Sequence, residues 1–136
     1  MGKKSVWALM AVMSLLFTSL AIPALAADTI KIGMYLPLTG AVAAYGSMAY
    51  EGIKIANEME PEVLGKKIEL VLVDTKSDKI EAANAMTRLL EKEKVVAVIG
   101  EAISGNSMAG NPISEAAKIP TVSPSATNPL VNQGKN

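Results

Sequence analysis

Three short loops hold most of the side chains in this chain that suit the grip of a small polar molecule. They read PLTGAVAAYG from Pro37 to Gly46, GEAISGNSMAG from Gly100 to Gly110, and SPSATNP from Ser123 to Pro129. Hydroxyls, glycines and one tyrosine fill them, and Glu101 is their only charged residue. Ser104 and Ser107 fall near a predicted helix start, where unpaired backbone N–H groups and the helix dipole favour a carboxylate. Charge-assisted hydrogen bonds of that kind are roughly twice as strong as neutral ones. Ser125 and Thr127 bring a backbone carbonyl and a hydroxyl, both able to accept from an ammonium group. Tyr45 offers a flat apolar face.

Each of these residues also has a purely structural reading. Ser104 suits a helix cap. Ser125 and Thr127 lie between Pro124 and Pro129 and suit a turn. Tyr45 suits packing equally well. Asp74, at the end of a predicted strand, is placed for a catalytic or phospho-acceptor acid, although such a residue more often closes a loop by hydrogen bonding. Glu51, Glu58, Glu91 and Glu93 read as solvated helix faces.

Catalytic and cofactor motifs fail one by one. A dinucleotide site wants G-x-G-x-x-G after the first strand, and Leu36-Pro37-Leu38-Thr39-Gly40 stands there instead. A hydrolase elbow wants G-x-S-x-G, but Ala102-Ile103-Ser104-Gly105-Asn106 lacks the first glycine. The chain has no histidine to serve as base, and its first strand is not followed by the acids of a phospho-receiver. Without cysteine or histidine, a zinc site would need carboxylates alone. No catalytic residue, cofactor or metal is therefore expected. No basic stripe marks a nucleic-acid partner.

The elements that must position the loops follow from periodicity. Thr29–Leu36 reads as a strand, with Ile30, Ile32 and Met34 alternating against Lys31 and Gly33. A helix is predicted from about Ser47 to Glu60, with Met48, Gly52, Ile53, Ala56 and Met59 on one face. Pro61 and Gly65 mark its end and the next turn. Lys67–Val73 is a second strand. Asp78 and Glu81 resemble a capping box opening a helix to about Lys92, with Ile80, Ala83, Met86, Thr87 and Leu90 turned inward. Val95–Ile99 reads as a third strand buried on both faces. The next helix runs to Lys118, where Pro112 either kinks it or restarts it after Asn111. Ile119–Val122 is a fourth strand. The alternation predicts a parallel sheet with helices on both faces. In such sheets ligands bind beyond the carboxyl ends of the strands, where strand order reverses, which selects the three loops above.

The first 26 residues read as an export signal. Lys3 and Lys4 precede an uncharged run from Val6 to Ile22, then Pro23 and the Ala24-Leu25-Ala26 pattern of a cleavage site. A membrane anchor is the alternative, since the run is only just long enough to span a bilayer. Those two lysines are among the 13 basic residues, against 13 acidic ones, so residues 27–136 carry a formal charge of −2. The chain has no cysteine for disulfides or for lipid attachment at the cleavage point, so a soluble product held by its core is expected. The polar end at Gly134-Lys135-Asn136 suggests a partial chain.

Two long stretches resemble type I periplasmic binding proteins of the leucine/isoleucine/valine class. They are IKIGMYLPLTGAVAAYGSMAYEGIKIANE and VIGEAISGNSMAGNPISEAAKIPTVSPSATNP, and the likeness covers nearly all of Ile30 to Leu130 in order. The resemblance implies an α/β fold of two hinged lobes, with residues 27–136 forming the amino-terminal portion of the first lobe. It implies that Ser104 holds a ligand α-carboxylate, that the Ser125 carbonyl and Thr127 hold the α-ammonium, that Tyr45 lines the side-chain pocket, and that Gly105 and Ala126 lie beside these contacts. It further implies a periplasmic solute-binding subunit of an ABC importer, a membrane permease as partner, an amino acid or amide as ligand, and a monomer at full length. A ligand-sensing receptor domain of the same fold, or an α/β enzyme, are the alternatives.

Overall fold

The computed structural model describes residues 29–132. The expected export signal, residues 1–26, and the terminal residues 133–136 lie outside the described residues.

Five strands, β1 (Ile30–Leu36), β2 (Glu62–Val63), β3 (Lys66–Asp74), β4 (Ala97–Gly100) and β5 (Thr121–Val122), form one sheet in the order β2-β3-β1-β4-β5. Three helices join them: α1 (Ala43–Met59), α2 (Lys79–Glu91) and α3 (Ser104–Ala116). Strands β1, β3, β4 and β5 are parallel, and only the short β2 runs antiparallel to its neighbour β3. The sequence carries no strand signal for β2. It arises because Leu64 and Gly65 both take positive φ, of 53° and 72°, which folds the chain back as a tight hairpin.

The chain steps from β1 to one side, onto β3, and then returns past β1 to β4 and β5. A single crossover hand then requires the first connecting helix to lie on the opposite face from the next two. This is what is seen. Ile53 and Ala56 of α1 stand over Ile32, Ile68, Leu70 and Ile99 on one face. On the other, Tyr35 and Val98 pack with Ala82, Ala85, Met86, Leu89 and Val95 to form the core. Burial of each large side chain there contributes about 1.5–3 kcal/mol. Tyr35 is fully enclosed beneath α3, its hydroxyl donating to Asn111 Oδ1 at 3.2 Å. Burial pushes that phenol far above its ordinary range, and it stays neutral.

Several sequence expectations shift. The inward stripe of α2 is Ala82, Ala85, Met86 and Leu89, while Ile80 points to solvent at 72% exposure. Asp78 caps α2, accepting from the N–H groups of Ile80 and Glu81 at 2.8 and 3.0 Å. The reciprocal half of the box does not form, because the Asp78 N–H bonds Thr75 O and Glu81 instead faces Lys76 at 3.6 Å. Helix α3 runs through Pro112 without restarting, for Asn111 spends its side chain bridging Tyr35 and Val131 O. The third and fourth strands are shorter than expected: Val95 packs into the core just before β4, and β5 keeps only Thr121 and Val122. Val96 is more than half exposed, so burial on both faces does not hold along the third predicted strand. Helix α1 begins at Ala43, not near Ser47, and Gly46 is its one fully buried residue. Of its expected apolar face, Met48 and Met59 are largely exposed.

Candidate functional site

The loop after β1 is shaped by close backbone approaches. Gly40 takes φ +86°, and a Cβ there would lie 2.5 Å from Lys76 O. A Cβ on Gly46 would lie 2.1 Å from Pro37 O, so only glycine lets α1 start so tightly against the strand exit. Asp74 holds the same loop from β3. Its carboxylate accepts from Leu38 N–H at 2.9 Å, Thr39 N–H at 3.2 Å, Thr39 Oγ1 at 2.6 Å and Lys76 N–H at 2.8 Å. Partial desolvation works against its ionisation, but Thr39 Oγ1 and the N–H groups of Lys76, Leu38 and Thr39 outweigh it and hold the carboxyl below its ordinary value. Asp74 is thus a loop closer, engaged on both oxygens by its own chain.

The loops after β4 and β5 are knitted around Glu101, which is fully buried. Its carboxylate accepts from Thr75 Oγ1 at 2.6 Å, from Asn106 Nδ2 at 3.3 Å and from the Ile103 N–H. Its backbone carbonyl accepts from the hydroxyls of Ser107 and Ser123. Ser125 Oγ donates to Ala102 O at 3.0 Å, and Ser104 Oγ accepts from the Asn128 N–H at 3.2 Å. The segment 123–128 is thereby tied to the start of α3 at both ends.

The loops after β1, β4 and β5 enclose a cleft of about 280 Å³, lined by Val42, Tyr45, Ala102, Ile103, Ser104, Ser125 and Thr127. It lies between β1 and β4, where the direction of strand addition reverses, as expected for an open parallel sheet. Tyr45, Ser104, Ser125 and Thr127 are brought together on this one wall. Gly105 and Ala126 stand beside it and are not among its lining residues. A Cβ on Gly105 would meet Lys79 Cε at 2.9 Å, and the Ala126 N–H turns back to Ser123 Oγ at 3.0 Å. The lining adds Val42, Ala102 and Ile103, which had no sequence signal beyond being apolar neighbours of Tyr45 and Ser104.

The wall is uncharged, and its hydrogen-bonding capacity is partly unspent. Ile103, not Ser104, occupies the cap position of α3, and the N–H groups of Asn106 and Ser107 return to Ile103 O at 3.1 and 2.9 Å. The Ser104 hydroxyl accepts one bond and keeps its proton to donate. Among the described residues the Thr127 hydroxyl has no partner within the chain. Ser104 and Gly105 stand in the first turn of α3, where backbone N–H groups have no acceptor within the helix. Among the described residues no three acidic, histidine or cysteine side chains converge as a metal site, and no helix is long and apolar enough to cross a membrane.

A family model described as periplasmic binding protein matches residues 29–136. The chain belongs to the periplasmic binding protein family. Among curated relatives of this chain, the leucine-, isoleucine-, valine-, threonine- and alanine-binding protein of Pseudomonas aeruginosa is 34% identical over 127 residues, which is 88% of this chain and 34% of that one. Among solved structures, a leucine-binding protein from Thermotoga maritima superposes with a TM-score of 0.77 at 54% identity, covering 79% of this chain and 31% of the other. A branched-chain amino acid transporter substrate-binding protein from Streptococcus pneumoniae, in complex with isoleucine, gives a TM-score of 0.76 at 38% identity over 79% and 32% of the two chains. An ABC-transporter solute-binding protein from Rhodopseudomonas palustris, in complex with 3,4-dihydroxybenzoic acid, gives 0.75 at 28% identity over 78% and 30%. The chain therefore spans about a third of the length of the relatives it matches.

Proposed function

We propose that this chain supplies the first-lobe half of an amino acid site in the exported solute-binding subunit of an ABC importer. One observation carries the reading: a single uncharged cleft at the sheet's reversal point is lined by Tyr45, Ser104, Ser125 and Thr127. A zwitterion entering that cleft loses water around both its charges and needs donors and acceptors in return. The Ser104 hydroxyl and the first-turn N–H groups of α3, including that of Gly105, suit the carboxylate. The Ser125 carbonyl and the Thr127 hydroxyl suit the ammonium. Tyr45, with Val42 and Ile103, suits an aliphatic side chain, which makes branched-chain and related amino acids the preferred class. Ala126 keeps its neighbours in register through its bond to Ser123.

In this reading residues 1–26 direct export to the periplasm, and no chemical step is assigned to any residue. A cleft of about 280 Å³ sits at the lower bound of small-molecule pockets, which enclose about 300–1,000 Å³. It fits a first-lobe half-site over which a second lobe closes by hinge motion before the protein docks on its permease. A thermal-shift screen of the full-length protein against the twenty amino acids and small amides tests the proposal. Stabilisation by leucine, isoleucine or valine is expected, and a flat response to every amino acid and amide would remove the reading.

A further inference from the structure

Glu101 is the one charged side chain in the three rim loops, and the cleft does not touch it. It is fully buried directly behind the wall, accepting a hydrogen bond from the backbone of Ile103, which itself lines the cleft. All three groups that reach its carboxylate, Thr75 Oγ1, Asn106 Nδ2 and the Ile103 N–H, donate to it, which fixes where its oxygens stand. No ion pair of Glu101 with a lysine or arginine occurs among the described residues. Lys79 is the cation near the start of α3, with its Nζ 3.6 Å from where a Gly105 Cβ would stand, but it is exposed and its field is screened.

From this placement we infer that Glu101 determines specificity as a fixed counter-charge: it favours ligands that carry an ammonium group over plain carboxylates. This rests on the amino acid reading above and deepens it. The first turn of α3 by itself attracts any carboxylate, whether or not an ammonium accompanies it. A buried negative charge one hydrogen bond behind that turn opposes this attraction and supports a cation in the same cleft. Glu101 itself is fully buried, so its charge is screened less by salt than an exposed one would be, and the balance tips toward the zwitterion. An exposed carboxylate at the same distance would be screened and would discriminate poorly.

The test is the ratio of dissociation constants for L-leucine and its des-amino analogue 4-methylpentanoate, measured by calorimetry on the full-length protein and on Glu101→Gln. Glutamine can still accept from Ile103 and still reach Thr75, but it carries no charge. The preference for leucine is expected to narrow about tenfold, the low end of what a nearby opposite charge does to an ionic equilibrium. A purely structural role would weaken both probes alike, so an unchanged ratio would overturn the inference while leaving the amino acid reading intact. If the wild-type protein binds neither leucine nor any other amino acid, the reading itself fails, and this inference with it. Should Glu101→Gln not fold, the wild-type protein decides instead, through the dissociation constants of L-leucinamide and its des-amino analogue 4-methylpentanamide, which share an uncharged amide and differ only in the ammonium group. There leucinamide is expected to bind about tenfold more tightly than the des-amino amide, and equal affinities would overturn the inference.

Discussion

Two regions at the carboxyl rim of the sheet are both rich in polar groups, and they spend them differently. At the end of β3, Asp74 receives four hydrogen bonds on its two carboxylate oxygens, all from its own loop and its neighbour across β1. At the ends of β4 and β5, the Ser104 hydroxyl accepts one bond and retains its proton, and the Thr127 hydroxyl has no partner among the described residues. A polar group whose capacity is consumed within the chain fixes a loop. One that keeps capacity facing a cleft remains available to a ligand. The sheet gives both loops the same rim position, so the hydrogen-bond inventory, not location, separates structure from binding.

Breaking the saturated side should cost the most. Asp74→Ala strips three backbone N–H groups and one hydroxyl of their acceptor, and a loss of about 3 kcal/mol in stability is expected from urea denaturation, tempered by water at the exposed donors. The same group gives a pH signature. The folded carboxyl titrates below its unfolded value of about 3.9, so its contribution is complete above roughly pH 4 and fades as pH falls through the folded value. Asp74→Asn should flatten that acid limb.

The unsaturated side should respond in the opposite pattern. Thr127→Ala is expected to weaken amino acid binding by ~1–3 kcal/mol, because a desolvated ligand charge loses a partner. Its stability should stay within ~0.5 kcal/mol, because the hydroxyl holds nothing in the chain. A fall in melting temperature with unchanged affinity would reverse the assignment of the two loops. The smallest effect is expected at Ile80→Lys, which should alter stability by less than ~0.5 kcal/mol despite removing an isoleucine from a helix, since Ile80 is largely exposed. A large destabilisation there would restore the inward stripe that periodicity suggests.

The misplaced stripe shows where sequence reading loses its hold. Ile80 and Ala82 are both apolar and both near the start of α2, so composition alone cannot choose between them. Asp78 fixes where α2 begins, but the rotation of the helix is set by where Leu89 and Met86 meet Tyr35 and Val98. Tyr45 is a similar case. The run of small residues before it reads as loop, yet α1 starts at Ala43, because Gly46 allows the helix to close against Pro37. Tyr45 reaches the cleft from a helix instead of a flexible segment.

The sequence by itself determined the alternation of strands and helices, the parallel sheet, the hydroxyl-rich rim loops, and the cap at Asp78. These depend on residue types at short separations, where period, turn chemistry and capping act locally. Only the tertiary structure decided that Tyr45, Ser104, Ser125 and Thr127 share one wall while Gly105 and Ala126 do not, that Asp74 is saturated, and that Glu101 is buried behind the cleft. Each of those depends on contacts between segments that are distant along the chain, such as Thr75 with Glu101 and Ser104 with Asn128. Nothing in a local pattern encodes the distance between two such loops. It is set by strand order and by how closely the helices settle on the sheet.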